Sequence, residues 1–123
     1  MPSKYILEEM IRVGCIFCSI VARDIPASII YEDERIMAFR DINPVAGQHI
    51  LVIPRQHIER FDAEGAAEHA ADIFSVIGQL VKELGIADSG YRVVCNTGPD
   101  GGQTVDHLHF HVLGGRPMQW PPG

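Results

Sequence analysis

Short apolar stretches and one long helical stretch dominate the pattern of hydrophobic and polar positions along the chain. Short apolar stretches bounded by polar or turn residues are typical of strands. The first two are joined by the polar residues 32–35, which predicts a β-hairpin. The third is an unbroken apolar run that ends at Pro54. The five predicted strands cover residues 28–31, 36–40, 49–53, 91–96 and 108–113.

A single stretch has clear helical spacing over several turns. Its apolar side chains recur at steps of three and four residues, which places them along one face of a helix. Asp62 is suited to an N-cap and Gly85 to the position just past a helix C-terminus, so we expect a long helix between them. The apolar face of this helix consists of Ile73, Ile77, Leu80, Val81 and Leu84. Shorter helices are predicted over residues 5–13 and within residues 15–21.

The predicted elements follow the order helix, three strands, long helix, two strands. Because short loops join the strands, this order favours an antiparallel sheet in an α+β fold. The 123 residues, 46% hydrophobic and 21% charged, have the composition of one globular domain. No apolar run approaches the ~20 residues that a transmembrane helix needs, and the N-terminus lacks the features of a signal peptide.

Charge and cysteine content narrow the classes of function. The chain has 10 Lys and Arg against 16 Asp and Glu, a formal net charge of −6. This balance disfavours general nucleic-acid binding, which depends on basic surface, although backbone amides can still hold a nucleotide phosphate. Cysteines number three, and two of them form Cys15-x-x-Cys18, so a secreted disulfide framework is not expected. We therefore expect a cytoplasmic protein with neither nucleic-acid nor membrane partners.

The densest chemical signal is the segment His107-Leu108-His109-Phe110-His111. Side chains alternate along a strand, so the three imidazoles are predicted to share one face while Leu108 and Phe110 supply core on the other. Three ionisable rings in a row pack poorly, which favours a functional role over a structural one. A metal site formed by all three histidines is the alternative, because imidazole is the commonest metal ligand.

The loop at residues 97–106 precedes these histidines and is longer than most hairpin loops. Gly101-Gly102 allows backbone amides to converge on an anion, and Thr104 adds a hydroxyl. An ordinary turn would explain the glycines equally well. The histidines that follow favour a phosphate held beside an imidazole.

The Cys15-x-x-Cys18 spacing is typical of metal ligands and requires two more ligands from elsewhere. His57 and one of the strand histidines are the candidates. A redox pair or two ordinary thiols are the alternatives, although no βαβ pattern of a redox fold surrounds the motif. His69, on the predicted long helix, is expected to be solvated.

These motifs together resemble the histidine triad (HIT) superfamily. Residues 107–113 resemble its signature, and the tail at residues 114–123, Gly-Gly-Arg-Pro-Met-Gln-Trp-Pro-Pro-Gly, is similar to that of the Hint branch of histidine triad nucleotide-binding proteins. The resemblance covers residues 15–123 and leaves residues 1–14 as an N-terminal extension. Further matching stretches are residues 25–27, 31–34, 38–42, 51–54 and 100–105.

The resemblance implies an activity and an assembly. Members of the Hint branch bind purine mononucleotides such as AMP or GMP and hydrolyse phosphoramidate bonds, including adenylate joined to lysine or to simple amines. By this likeness His109 attacks the α-phosphorus without a catalytic metal, His111 contacts the phosphate and assists proton movement, and Thr104 supplies its hydroxyl. The resemblance also implies a homodimer in which two five-stranded sheets join.

The resemblance also implies the binding residues. Those expected at the phosphate are Asn96, Gly102, Gln103 and Thr104, together with His109 and His111. Those expected at the base are Ile16, Phe17, Ile20 and Phe39, with Asp41 at the ribose hydroxyls, Ile42 beside the ribose, and Trp120 of the dimer partner at the leaving group. The zinc-bearing bacterial members imply a structural site formed by Cys15, Cys18, His57 and His107.

Three alternatives remain at the level of sequence. One is a zinc hydrolase with three histidines on one metal, and another is a dinucleoside polyphosphate hydrolase. The third is a nucleotide-binding or interaction protein without catalysis.

Asp106, where relatives commonly have an aromatic residue, is expected to face solvent because its charge would oppose a phosphate.

Overall fold

The computed structural model describes residues 14–123, and it contains one five-stranded antiparallel sheet. The strands lie in the spatial order β1-β2-β3-β5-β4. Their bounds are β1 Ile29–Glu32, β2 Ile36–Arg40, β3 Gln48–Pro54, β4 Tyr91–Val94 and β5 Phe110–Gly114. The helices are α1 Ile16–Val21, α2 Ala70–Glu83 and the single turn α3 Gly98–Gly101, and a 3-10 turn, Ala67–His69, precedes α2. The predicted α+β fold with a five-stranded antiparallel sheet is confirmed.

One face of the sheet is covered by α2. The predicted apolar stripe of this helix is buried, and it packs on alternate residues of the three central strands, among them Ile36, Val52 and Val112. Leu108 and Phe110 belong to the same core, as the alternation of the histidine segment predicts. This face is a hydrophobic core that carries no functional side chain of the predicted set.

The opposite face of the sheet carries α1. Phe17, Cys18 and Ile20 of this helix pack on Met37, Phe39, Leu51 and Ile53 of the sheet. Leu51 of β3 pairs with His111 of β5. Because residues that pair across an antiparallel ladder point to the same face, His111 lies on the α1 side. The sheet therefore separates the main core from a smaller core that borders the histidines.

The predicted start of the long helix is wrong. The helix begins at Ala70 rather than after Asp62, and no side chain caps it. Gly65 has φ of +88°, a left-handed conformation that a continuous right-handed helix does not tolerate, so the helical backbone cannot reach back to Asp62. Asp62 pairs instead with Arg60 at 2.7 Å. The predicted C-terminal end is confirmed, because the backbone leaves the helix at Gly85 with φ of +72°.

Two predicted strands are shorter than expected. The fourth ends at Val94 instead of residue 96, and the fifth begins at Phe110 instead of residue 108. His107 and His109 therefore lie in the irregular segment that leads into β5. The helix predicted over residues 5–13 lies outside the described residues. Among residues 14–123, no helix has both the length and the apolar character that crossing a membrane requires.

Candidate active site and metal centre

The three histidines that the sequence singled out occupy two neighbouring environments. His107 is fully buried, and His109 is 4% exposed. His111 is half-buried near the start of β5, where that strand pairs with β3. The rings of His109 and His111 lie edge to face with centroids 5.1 Å apart. His107 turns instead toward His57, whose ring centroid is 5.0 Å away. The segment therefore delivers two rings to one site and the third to another.

The orientation of His109 is set by its own backbone neighbourhood. Its Nδ1 donates a hydrogen bond to the main-chain carbonyl of His107 at 2.7 Å. In a neutral imidazole only one nitrogen carries the proton, so Nε2 of His109 retains a lone pair. Phe17 packs edge-on against this ring with centroids 5.1 Å apart. The result is a buried imidazole with a fixed tautomer and one basic nitrogen, which is the form that a nucleophile requires.

His111 is joined to a histidine that the sequence analysis left without a role. Nδ1 of His111 lies 2.8 Å from Nε2 of His49, and the carboxylate of Asp41 lies 3.4 Å from the same His49 nitrogen. Burial lowers the pKa of His111 to about 4, with the nearby His109 and His49 adding to the effect. Burial also lowers the pKa of His49, against the opposing attraction of Asp41. Both rings are therefore neutral near pH 7.

His49 could have been found from the sequence by its alternation with Leu51 and Ile53. These three residues share a strand face, and the prediction that Leu51 lies in a buried strand places His49 inside as well. A buried histidine at the end of an apolar strand needs a polar partner. The sequence did not show that this partner is His111, because the pairing of β3 with β5 joins residues 62 positions apart.

A cleft of about 540 Å³ opens between α1, the loop that follows β2, and the two rings His109 and His111. Apolar side chains of α1 and β2 form one part of its lining, and the imidazoles and the Asp41 carboxylate form another. This division matches what a nucleotide presents, an apolar base at one end and a phosphate at the other. The predicted site residues that line it are Ile16, Phe17, Ile20, Phe39, Asp41, Ile42, Thr104, His109 and His111.

Four other predicted site residues do not line this cleft in the described chain. The N–H groups of Gly102 and Gln103 donate to carbonyls of α3, those of Pro99 and Gly98. The Gln103 side chain accepts from the Gly98 amide and donates to the carbonyls of Glu59 and Val105, so it braces the loop. Asn96 is half-buried just beyond β4, and Trp120 is 82% exposed in the tail.

A second cluster lies on the other side of His107. The Sγ atoms of Cys15 and Cys18 and one ring nitrogen each of His57 and His107 all lie within 4.8 Å of one another. Cys15 Sγ is 3.4 Å from His107 Nδ1, and Cys18 Sγ is 3.2 Å from His57 Nδ1. The motif is placed by α1, since Cys15 is its N-cap and its sulfur accepts the backbone N–H of Cys18. The four residues that the resemblance implied as ligands are brought together.

The donor set of this cluster fits a tetrahedral metal ion. Bonds of about 2.0–2.3 Å to two sulfurs and two imidazoles place ligand atoms some 3.3–3.8 Å apart. Three sulfur–nitrogen pairs of the cluster are 3.2, 3.4 and 3.6 Å apart, which is close to that range. Nε2 of His107 donates to the main-chain carbonyl of Pro54 at 2.8 Å, so Nδ1 is the unprotonated nitrogen that faces the sulfurs. Metal-ligating histidines characteristically have such a carbonyl partner on the other nitrogen. Burial lowers the pKa of His107 to about 4, which keeps that lone pair available.

Two expectations about single residues have opposite outcomes. His69 is not solvated but buried, and its Nδ1 donates to the carbonyl of Gly65 at 3.1 Å, because the turn before α2 folds back over the ring. Asp106 is exposed, as expected from the repulsion its charge would exert on a phosphate.

Comparison with known proteins places this geometry in a family. The model of the HIT domain matches residues 22–118. A 14 kDa zinc-binding protein of Zea mays is 46% identical over 112 residues, which cover 88% of this chain and 87% of the maize protein. The crystal structure of a HIT family hydrolase from Legionella pneumophila superposes with a TM-score of 0.86 at 44% identity, over 89% of this chain and 100% of that one. A histidine triad nucleotide-binding protein from Candida albicans superposes with a TM-score of 0.77 at 33% identity, over 88% and 83% of the two chains. The chain belongs to the HIT domain family.

Proposed function

We propose that this protein hydrolyses purine nucleoside 5′-phosphoramidates, such as adenylate joined to an amine or to lysine, through a nucleotidyl-His109 intermediate. The observation that carries the proposal is the hydrogen bond from His109 Nδ1 to the His107 carbonyl, which leaves the Nε2 lone pair for attack at the wall of the cleft. The similar Legionella and Candida proteins, described as a hydrolase and as a nucleotide-binding protein, support it.

In this proposal each wall of the cleft holds one part of the substrate. The base packs between the apolar side chains of Phe17, Ile20 and Phe39, and the ribose hydroxyls reach Asp41. The α-phosphate then lies at the two imidazoles, beside the Thr104 hydroxyl. Such positioning of a phosphorus next to a nucleophile replaces much of the entropic cost of a bimolecular reaction.

The reaction has two displacement steps at phosphorus. The lone pair of His109 Nε2 forms the new N–P bond as the P–N bond to the amine breaks, and the departing amine takes up a proton from solvent. Water then attacks the same phosphorus, which breaks the N–P bond to His109 and returns the imidazole with a nucleoside monophosphate and a proton. Hydrogen-bond donors at the phosphoryl oxygens stabilise the charge that develops in both steps.

We also propose that the Cys15, Cys18, His57 and His107 cluster holds a structural Zn²⁺, as the description of the similar maize protein supports. Four protein ligands leave no position for a reacting water, so the ion supplies a rigid cross-link between α1 and the approach to β5 rather than catalysis. Free thiols available for a metal persist most readily where the cell keeps thiols reduced, and on that ground we propose a cytoplasmic location.

The three-histidine zinc hydrolase has no support in the geometry. Among the described residues, His107 lies with the two cysteines and His57, His111 lies in a separate group with Asp41 and His49, and His109 belongs to neither group. Chelation separates the two mechanisms in solution. A chelator abolishes activity at once if the metal carries the reacting water, whereas removal of a structural ion lowers stability first.

We propose that two copies of the chain form a homodimer through the exposed edge strand of the sheet, β4. Strand β4 pairs only with β5 in the described chain, and its residues Tyr91 and Val93 are 43% and 41% exposed. Exposed apolar edge strands are templates for pairing with another chain. Phe74 of α2 is another large exposed apolar side chain, so both elements provide surface for a second copy.

The experiment is the release of AMP from adenosine 5′-phosphoramidate by the wild type and by His109→Ala. We expect turnover in the wild type and a loss of roughly 10³-fold or more in the variant, as is typical when a covalent nucleophile is removed. His69→Ala removes another buried imidazole away from the cleft and serves as the control. Faster hydrolysis of diadenosine tetraphosphate than of the phosphoramidate would instead establish a dinucleoside polyphosphate hydrolase. A folded wild type that binds AMP without turnover would establish a binding protein.

A further inference from the structure

A chain of hydrogen bonds joins His111 to two further residues of the cleft wall, His49 and Val45. The backbone N–H of Val45 donates to Nδ1 of His49 at 3.2 Å, and Nε2 of His49 lies 2.8 Å from Nδ1 of His111. The Asp41 carboxylate lies 3.4 Å from the same Nε2. His49 therefore has a partner at each ring nitrogen, and His111 has one at Nδ1.

The directions of these hydrogen bonds follow from one fixed donor. A backbone N–H can only donate, so Nδ1 of His49 accepts and carries no proton. The neutral ring then has its proton on Nε2, and that proton points to Nδ1 of His111. Since Nδ1 of His111 is the acceptor, the single proton of the neutral His111 ring sits on Nε2.

We propose that His49 is a positioning residue that holds His111 in the Nε2–H tautomer, so that the two imidazoles of the cleft present opposite functions. His109 presents a lone pair to the phosphorus, and His111 presents a hydrogen-bond donor to the phosphoryl oxygen or to the leaving atom. The part of this inference that concerns the substrate rests on the proposed function, whereas the tautomer does not.

The surroundings of His49 favour this assignment over a packing role. Burial lowers the pKa of both rings, which keeps each with a single proton at neutral pH. The negative charge of Asp41 beside Nε2 of His49 stabilises a proton on that nitrogen. Asp41 is itself held in place, because its N–H donates to the His49 carbonyl at 3.0 Å and its Oδ1 accepts from the Asn43 amide at 2.8 Å.

Two substitutions separate hydrogen-bond donation from the filling of space. The side-chain amide of His49→Gln has an N–H group that can replace the Nε2 donor, whereas His49→Leu fills much of the volume without a donor. His69→Leu is the matched control, since it removes a buried histidine that touches neither imidazole of the cleft. His49→Phe replaces the leucine variant if the latter unfolds at the temperature of the measurement.

The first readout is the tautomer of His111, measured by long-range ¹H–¹⁵N correlation spectra of the full-length protein with its metal. His111→Asn identifies the His111 signals by their loss. We expect the Nε2–H pattern in the wild type, in His49→Gln and in His69→Leu, and a shift toward the other tautomer or toward a protonated ring in His49→Leu. An unchanged His111 pattern in His49→Leu would overturn the inference.

The second readout is turnover of adenosine 5′-phosphoramidate. Loss of one hydrogen bond to a charged phosphoryl group lowers kcat by about 10–100-fold in His49→Leu, with recovery of most of that loss in His49→Gln. Equal losses in both variants would overturn the donor role. A wild type without any turnover refutes the proposed function and not the tautomer, which the spectra decide independently.

Discussion

Nδ1 of His109 donates to the main-chain carbonyl of His107 at 2.7 Å, while the side chain of His107 faces the sulfur of Cys15 at 3.4 Å. One residue therefore contributes its ring to the Cys15, Cys18, His57 and His107 cluster and its carbonyl to the orientation of the His109 ring. The same short helix that carries Cys18 also carries Phe17 and Ile20, which line the cleft. The proposed metal site and the cleft are consequently two sides of one packed unit.

Loss of a metal ligand is predicted to lower both stability and nucleotide affinity. Cys18→Ser replaces a thiolate by a much weaker zinc ligand, so we expect bound zinc to fall from about one ion per chain to well below one. The melting temperature and the affinity for AMP fall with it, because α1 and the His107 carbonyl lose their anchor. Elemental analysis, calorimetric unfolding and AMP titration measure the three quantities.

The control for the zinc experiment is Cys95→Ser, because Cys95 lies outside the cluster. It should retain full zinc and AMP affinity. Stoichiometric zinc in Cys18→Ser would contradict the assignment of the ligands.

The stability of the protein is predicted to fall in mildly acidic solution partly through His111. Its pKa is lowered to about 4 in the folded state, against about 6.5 in an unfolded chain. Between these values the unfolded state binds a proton at this position that the folded state does not bind, so stability is present above pH ~6.5 and is lost as the pH falls toward ~4. Urea unfolding between pH 7.5 and 5 measures the effect.

His111→Asn supplies the comparison for this pH dependence. The variant keeps the metal cluster, so protonation of the metal ligands contributes equally to both proteins. The variant should lose less stability than the wild type over the same pH interval. Identical pH dependence in the two proteins would show that His111 does not titrate in this way.

Phe17 is predicted to couple packing to nucleotide binding. Its ring makes edge contacts with His109, Phe39 and His107 at centroid distances of 5.1, 5.4 and 5.8 Å. Phe17→Leu removes these aromatic contacts and should cost about 1–2 kcal/mol of stability, with a several-fold weaker affinity for AMP. Phe61→Leu changes a 59% exposed ring on the other face and should leave the affinity for AMP unchanged. Equal AMP titration curves for wild type and Phe17→Leu would exclude Phe17 from the base pocket.

The oligomeric state is predicted to depend on the β4 edge. Val93→Glu places a charge on the exposed apolar edge, and a charge there opposes burial in an interface. Analytical ultracentrifugation should show a dimer for the wild type and a shift to monomer for Val93→Glu. Ser28→Glu adds the same charge just before β1, the opposite edge strand, and should remain dimeric. A dimer that persists in Val93→Glu alone would place the interface elsewhere.

The sequence predicted the five strands, α1 and most of α2, and it failed where the backbone departs from regular geometry. The spacing of Ile73, Ile77 and Leu80 fixes the buried face of α2, and alternation correctly assigns Leu108 and Phe110 to the core. The start of that helix was missed because Gly65 has a left-handed conformation, which a right-handed helix cannot include. The presence of a glycine in the sequence does not by itself show which φ it adopts.

The candidate site was predictable where local motifs carry it and not where distant segments meet. Cys15, Cys18 and the histidine segment are visible as spacings, His57 was already a candidate ligand, and the choice of His107 among the strand histidines followed from the resemblance to the family. His49 was missed because its partner His111 lies on a strand that is adjacent only in space. The side-chain role of Gln103 as a loop brace likewise depends on its contact with the Glu59 carbonyl, 44 residues away.

The most direct test of the account is to trap the enzyme during turnover of adenosine 5′-phosphoramidate and to determine the mass of its peptides. The account predicts one adenylate group on the peptide that contains His109, formed within a single turnover, labile to acid, and absent in His109→Ala. Turnover by the wild type with no adenylated peptide, or with the adenylate on another residue, would contradict the assignment of His109 as the nucleophile.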